Sequence, residues 1–263
     1  MEHIGSVYCP KCGTHVGKLP IYWWDNLTET DKQSECPNCQ NKNMKFCLQS
    51  GESSREKIAI FSSAPKLGYE FVTSKICMPN CIPIGDVEYC ESILPPKETP
   101  IDFYPEFLKE HRHREIGYST FGGVEGDQTD SPIKRKRLFL KKANEWKSDF
   151  KSRIVEWNET IPYDFYYYSD PIEFVQEWRY YIAEGIQITT GWYDGHDEDE
   201  PAPELNIKWP DTFNAAVDFG RLKDGRIALV ESHAPFACGW YGDDHAEYVF
   251  WQYEAWKRYI QRL

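Results

Sequence analysis

The sequence lacks long apolar segments and the features of an exported protein. No stretch approaches the roughly 18 consecutive apolar residues that a membrane-spanning helix requires. The opening MEHIGSVYCPKC has no basic region followed by an apolar stretch and a small-residue cleavage site, as a secretory signal would. We therefore expect a cytoplasmic protein without a membrane partner, whose 9 cysteines stay reduced.

Two common catalytic motifs are also missing. There is no GxxxxGK[ST] loop, which argues against a P-loop nucleotide-binding fold. No GxSxG occurs either, so a serine nucleophile on a strand-to-helix turn is not expected.

Positive charge is in short supply. The chain has 30 Lys and Arg against 42 Asp and Glu, and the resulting net charge of -12 repels a phosphate backbone. Nucleic acid is therefore an unfavoured partner. The basic segment SPIKRKR and the metal motif described next keep a zinc-ribbon nucleic-acid-binding protein open as an alternative.

The cysteines near the N-terminus are regularly spaced. Cys9 and Cys12 form one Cys-x-x-Cys pair, and Cys36 and Cys39 form a second. Four thiolates in this pattern suit one tetrahedral zinc ion and leave no coordination position for water or substrate. We predict a structural zinc ribbon, because a segment of about fifty residues has too little core to fold without such a metal. A redox or catalytic role is the alternative.

Length and composition fit one main folded unit with a small accessory unit. The 263 residues are 41% hydrophobic and 16% aromatic, as in a globular protein. The polar stretch from Gln49 to Lys57 is interpreted as a linker before a strand at Ile58–Phe61. We predict a zinc ribbon over residues 1–55, an α/β subdomain over 56–130 with a helix through Leu108, and a third region over 131–263.

Two β-hairpins are predicted in the third region. FVQEWRYYIAEG and IQITTGWYDG form the first, and AAVDFGRLKDGRIALVES forms the second, with its turn at Lys223 to Gly225. The second hairpin brings Asp218 and Glu231 to neighbouring strands, where two carboxylates can share a magnesium ion. An acidic pair on a solvated sheet face is the alternative.

Two further elements frame these hairpins. The acidic run Asp194 to Glu204 is predicted to be a solvated loop, with a lid over a cationic substrate as the alternative. The segment DDHAEYVFWQYEAWKRYIQRL has apolar residues at helical spacing and predicts a C-terminal amphipathic helix.

Three segments, in order, carry a family resemblance. RLFLKKANEWKSDF, FVQEWRYYIAEG and AAVDFGRLKDGRIALVESHAPFACGWYG resemble the lysine-bearing strand, the Glu-x-Arg strand and the metal-binding hairpin of ATP-grasp enzymes. Within that superfamily they are similar to the phage and bacterial subgroup named for two arginines and a lysine. The resemblance implies a mixed α+β and α/β fold in which two lobes clasp ATP, preceded here by the zinc ribbon. Region 131–263 would then be the nucleotide-binding and catalytic region.

The resemblance also implies roles for individual residues. Lys141 would reach the nucleotide phosphates, Arg179 would contact the γ-phosphate or an acyl-phosphate intermediate, and Asp218 and Glu231 would hold magnesium. Arg114, in HREIGYST, matches the subgroup's earlier arginine.

Three positions need separate comment. Lys142 stands where the family often has proline, so either Lys141 or Lys142 could face the nucleotide. Glu177 belongs to the Glu-x-Arg strand and is a further candidate for cofactor binding. His233 replaces the usual asparagine two residues after the metal-binding glutamate, and imidazole suits magnesium poorly. Either the metal preference differs or His233 serves the substrate.

The expected function is an ATP-dependent ligase that joins a carboxylate to an amine through an acyl phosphate. Its cofactors would be ATP, magnesium and zinc, and the ribbon would recruit a partner or substrate, including a protein or peptide. The alternative is an adaptor or assembly factor that binds ATP without catalysis.

Overall fold

A computed structural model describes residues 4–8, 15–20, 25, 28, 44–78, 81–94, 99–121, 137–156 and 159–260. Cys9, Cys12, Cys36 and Cys39 lie outside these ranges, so the zinc site stays a prediction. Strands β1 (Ile4–Tyr8) and β2 (His15–Pro20) pair as an antiparallel ribbon. Within the described ranges, no helix has the length and apolar character needed to cross a membrane.

A three-stranded parallel sheet follows in the chain. Its strands are β3 (Lys45–Gln49), β4 (Phe71–Ser74) and β5 (Cys81–Ile84), in the order β4-β3-β5. Helix α1 (Arg55–Ser63) connects the first two strands, and the short helix α2 (Val87–Glu91) follows the third. All four residues of β5 are buried, as expected for a parallel sheet covered by helices.

The prediction of a strand at Ile58–Phe61 was wrong, because these residues lie inside α1. The Ser54 side chain accepts a hydrogen bond from the Lys57 backbone N–H and caps that helix. The proposed linker from Gln49 to Lys57 therefore contains the end of β3 and the first turn of α1. Since β3 is the central strand of the sheet, the α/β subdomain includes residues that precede the proposed boundary at 55.

An antiparallel sheet forms one wall of the candidate site. Its strands are β6 (Ile116–Phe121), β7 (Arg137–Lys142), β8 (Arg153–Glu156) and β9 (Asp164–Ser169), in the order β6-β9-β7-β8. Leu138 and Leu140 of β7 pack into a small core with Tyr166. Because side chains alternate along a strand, Lys141 lies on the opposite face of β7. A 3₁₀ helix, Glu106–His111, precedes the sheet where a helix through Leu108 was predicted.

A second antiparallel sheet forms the other wall. Strands β10 (Phe174–Ala183) and β11 (Ile186–Gly195) make the first predicted hairpin, and β12 (Ala215–Leu222) and β13 (Ile227–His233) make the second. The sheet order is β11-β10-β12-β13. Both hairpins are confirmed, and Gly225 has the predicted positive φ, at 87°.

The acidic run packs against this sheet and does not cover the candidate site. The Trp178 indole N–H donates to the Glu200 carbonyl, and the Gln176 side chain donates to the Asp197 carbonyl. Trp178 alternates along β10 with Arg179, so the run lies against the opposite sheet face. This contact argues against the lid alternative.

The predicted C-terminal helix, α3 (His245–Ile260), completes the largest core. Trp251 and Trp256 of α3 are fully buried with Phe46 of β3 and Ile60 of α1. The Trp251 indole N–H also donates to the Ile182 carbonyl of β10 at 3.0 Å. Helix α3 thus joins the parallel sheet to the second antiparallel sheet.

Candidate active site

Three neighbouring strands of the second antiparallel sheet carry the charged residues. Arg179 of β10 is the register partner of Asp218 on β12, and Asp218 is in turn the partner of Glu231 on β13. His233 lies two residues after Glu231 and therefore on the same face of β13. The sequence thus brings four of the predicted side chains to one patch of sheet.

Arg179 and Asp218 form a buried, bidentate ion pair. Arg179 Nε donates to Asp218 Oδ1 and a terminal Arg179 nitrogen donates to Oδ2, both at 2.7 Å. The two residues are 3% and 1% exposed. Although burial opposes ionisation, the Arg179 guanidinium holds the pKa of Asp218 below its usual range. The rings of Tyr193 and Tyr241 lie 4.6 and 5.2 Å from the guanidinium carbon and fix its position.

Lys141 crosses from the first antiparallel sheet to Glu231. Its Nζ lies 2.5 Å from Glu231 Oε2, and the same nitrogen is 4.1 Å from the centre of the Phe103 ring. Glu231 Oε1 is 2.9 Å from Nε2 of His233. Burial opposes ionisation of Glu231, yet His233 and Lys141 together hold its pKa well below the usual range. Both walls of the site therefore meet at Glu231.

Lys142 does not reach this cluster. Its Nζ contacts Glu145 and Asp164, each at 3.0 Å, on the other face of β7. These two carboxylates raise the pKa of Lys142. Of the two adjacent lysines, only Lys141 faces the other charged residues.

Arg114 and Glu177 lie at the edge of the cluster. Arg114 donates to the carbonyls of Leu229 and Val230, at 2.8 and 3.2 Å, and so is bound to the backbone of β13 just before Glu231. Glu177 is two residues before Arg179 on β10. Burial, followed by the nearby charges of Asp218 and Asp194, raises the pKa of Glu177 to about 7. This residue is therefore half-ionised near neutral pH.

The residues present fit a divalent cation. Asp218, Glu231 and His233 each offer a ligand atom, and the three atoms lie within 4.8 Å of one another. His233 Nε2 is 3.4 Å from Asp218 Oδ2, but it makes no hydrogen bond of acceptable geometry within the described residues. Two hard carboxylates and an imidazole nitrogen form a donor set for an octahedral ion.

Two cavities adjoin the cluster. The first, of about 320 Å³, opens beside Glu231, Glu177 and Arg114 and is bounded by the segment Asp170–Ile172 that joins β9 to β10. The second, of about 250 Å³, lies at the carboxyl ends of β3 and β5 and is also lined by Cys238, Gly239 and Gln252. The Gly239 carbonyl accepts a hydrogen bond from Arg179. The cluster therefore lies between the two cavities.

Several residues of the site were not predicted. Tyr193 and Tyr241 enclose Arg179, Phe103 contacts Lys141, and Asp170–Ile172 borders the first cavity. The Tyr and Phe residues come from separate parts of the chain, and the aromatic content offered no local signal for them. The position of Asp170–Ile172, between a predicted strand and the first hairpin, was the one available signal.

The sequence was compared with known proteins. Over residues 111–250 it matches a family described as an ATP-grasp domain, family 2 of its clade. No curated protein matches it. Among solved structures, D-alanine–D-alanine ligase from Bacillus anthracis, complexed with ATP, is similar at 12% identity and a TM-score of 0.45, covering 83% of this chain and 99% of that chain. The macrocyclase MdnC from Microcystis aeruginosa MRC, bound with precursor peptide MdnA, has 8% identity and a TM-score of 0.38, covering 84% and 100%.

The family match extends over more than half of the chain. It includes Lys141, Arg179 and the three candidate metal ligands, and it spans both antiparallel sheets. The chain therefore belongs to this family of ATP-grasp domains.

Proposed function

We propose that this protein is an ATP-dependent ligase that activates a carboxylate as an acyl phosphate and transfers the acyl group to an amine. One observation carries the proposal: Lys141 from one sheet meets Glu231, beside Arg179, Asp218 and His233, on the other. Cations and metal-ligating carboxylates together match the charge of a magnesium-bound polyphosphate.

The nucleotide is proposed to occupy the first cavity. A volume of about 320 Å³ lies in the usual range for a cofactor site. Phosphates extending toward Glu231 would come within reach of Lys141, and Arg114 lines the same cavity. Arg114, Arg179 and Lys141 are thus our candidates for the two arginines and the lysine of the subgroup.

The reaction has two transfer steps. A substrate carboxylate oxygen attacks the γ-phosphorus, the bond to the bridging oxygen of ADP breaks, and an acyl phosphate forms. The amine nitrogen then attacks the acyl carbon, the carbon–oxygen bond to phosphate breaks, and phosphate and a proton are released. Lys141 and Arg179 would stabilise negative charge on the transferred phosphoryl group. A divalent ion held by Asp218 and Glu231 would add charge neutralisation when bound.

The amine substrate is proposed to enter the second cavity. Gln252, which lines it, is 2% exposed, and its Oε1 has no hydrogen-bond partner in the described part of the chain. A buried unpaired acceptor is costly, and an N–H donor from a ligand would satisfy it. The cavity reaches Gly239, whose carbonyl contacts Arg179, so the amine would approach the reacting acyl group from this side. The predicted zinc ribbon is proposed to recruit a protein or peptide partner.

The test exploits two adjacent lysines on opposite faces of β7. ATP with magnesium is titrated calorimetrically into the wild type, Lys141→Met and Lys142→Met. We expect the wild type to bind, Lys141→Met to bind at least about tenfold more weakly, and Lys142→Met to match the wild type. Absence of binding in the wild type, or equal losses in both variants, would overturn the proposed nucleotide site.

A second candidate function is a nucleotide-binding adaptor without turnover. The observation in its favour is that Arg179 and Asp218 saturate each other, so neither is free for phosphate or metal until the pair rearranges. ADP release in a screen of carboxylates and amines would exclude the adaptor. Tight ATP binding without ADP release throughout the screen would favour it.

A further inference from the structure

We infer that His233 gives this site a preference for Mn²⁺ over Mg²⁺, an inference that rests on the proposed nucleotide-binding function. The starting observation is the position of its Nε2, which lies 2.9 Å from Glu231 Oε1 and 3.4 Å from Asp218 Oδ2. This nitrogen is buried and makes no well-aligned hydrogen bond within the described residues. It points between two carboxylates, where a third ligand of a shared ion would lie.

The surroundings of the ring fix it in this role. The Phe103 ring lies edge-on at 6.4 Å between centroids, and the Trp146 ring lies at 6.2 Å. The side chain is 13% exposed. A ring held between two aromatic groups, with Nε2 directed at Asp218 and Glu231, is poorly placed to contact a substrate. This geometry favours metal ligation over the alternative in which His233 serves the substrate.

The donor set selects among metals. Mg²⁺ prefers oxygen ligands and dehydrates reluctantly, so an imidazole nitrogen adds little to its binding. Zn²⁺, Cu²⁺ and Ni²⁺ accept imidazole, but two carboxylates and polyphosphate oxygens form a hard, octahedral environment. Mn²⁺ suits that environment and also accepts an imidazole nitrogen. Asparagine at this position would supply a hard amide oxygen and would remove the discrimination.

The first experiment compares the wild type with His233→Asn. The non-hydrolysable analogue AMP-PNP is titrated calorimetrically into each protein with saturating Mg²⁺ or with saturating Mn²⁺. The ratio of the two dissociation constants is then compared between the proteins, so that the intrinsic preference of the nucleotide cancels. We expect the preference for Mn²⁺ to fall about tenfold in His233→Asn, chiefly through tighter binding with Mg²⁺ and weaker binding with Mn²⁺. An unchanged ratio would overturn the inference.

The second experiment detects the bond directly. Protein labelled with ¹⁵N only at histidine is mixed with Mn²⁺ and AMP-PNP, and pulsed electron paramagnetic resonance measures the nitrogen coupling to Mn²⁺. We expect a ¹⁵N coupling in the wild type that is absent from His233→Asn and from the unlabelled protein. Nucleotide binding without this coupling would overturn the inference and leave the ATP site intact. If AMP-PNP does not bind, the proposed function fails, and Mn²⁺ alone decides the inference by the presence or absence of the same coupling.

Discussion

Arg179 and Asp218 face each other across β10 and β12, joined by two hydrogen bonds of 2.7 Å between the guanidinium and both carboxylate oxygens. The pair is almost fully buried. Because a charge removed from water is stable only beside its partner, each residue depends on the other for its ionised state. Catalysis and folding therefore draw on the same pair.

Removing one member of this pair should destabilise the fold strongly. For Arg179→Met we expect a loss of about 3–5 kcal/mol in the free energy of unfolding, because Asp218 is left buried without a partner. Urea denaturation followed by tryptophan fluorescence measures it. The double variant Arg179→Met/Asp218→Leu serves as control and should lose clearly less than Arg179→Met. Equal or larger losses in the double variant would contradict this account.

The raised pKa of Glu177 predicts a pH-dependent stability. Its pKa is about 7 in the folded protein against an ordinary 4.5, so between these values the folded state binds more protons than the unfolded state. Stability should therefore fall as pH rises through this window. Glu177→Gln carries no titrating group and should be more stable than the wild type above about pH 7, with the difference vanishing below about pH 4.5.

Urea denaturation at several pH values, with metal removed by a chelator, checks this prediction. Glu173→Gln is the matched control, because Glu173 is an exposed carboxylate that pairs with Lys223. A Glu177→Gln curve parallel to that of the wild type would show that Glu177 does not titrate in this range.

The turn of the second hairpin should tolerate asparagine better than alanine at position 225. Gly225 has φ of 87°, and a Cβ there would meet no atom within 4 Å. Any loss is therefore due to the backbone conformation alone. We expect Gly225→Ala to cost about 1 kcal/mol and Gly225→Asn less, because asparagine adopts positive φ more readily. Thermal unfolding of the three proteins measures the order, and equal stability of all three would contradict it.

The zinc prediction has a direct chemical test. Mass spectrometry should find one zinc per chain, and a strong chelator should make four more thiols reactive, those of Cys9, Cys12, Cys36 and Cys39. Cys36→Ser should lose the metal. Cys90→Ser, which alters a buried cysteine of the parallel sheet's subdomain, should retain it. A protein that contains no zinc as purified and binds none on addition would refute the ribbon.

Local sequence patterns were sufficient for the hairpins. Alternating residues in β10 to β13 and glycines at the turns specify both pairs of strands, and these pairs carry Arg179, Asp218 and Glu231. The choice between Lys141 and Lys142 needed the structure, because it depends on which face of β7 covers Leu138 and Leu140. The alternation was visible, but the position of the core was not.

Non-local contacts account for the errors. The four apolar residues of Ile58–Phe61 fit a strand or a helix equally, and the cap at Ser54 was the overlooked signal. Strand β3 pairs in parallel with β4 and β5, which come much later in the chain, so no turn motif announced it. Tyr193 and Tyr241 reach Arg179 from a hairpin and a loop, an arrangement that only the assembled fold defines.

The largest core takes residues from β3 through to α3, from Phe46 to Trp256. A ribosome releases the chain in order, so the parallel sheet emerges long before the tryptophans that cover it. Until α3 leaves the exit tunnel, Phe46 and Ile60 lack their partners and present apolar surface to the cell. The subdomain made first is thus the one that waits longest for its covering, and nascent chains stalled before residue 245 should be the ones that chaperones bind.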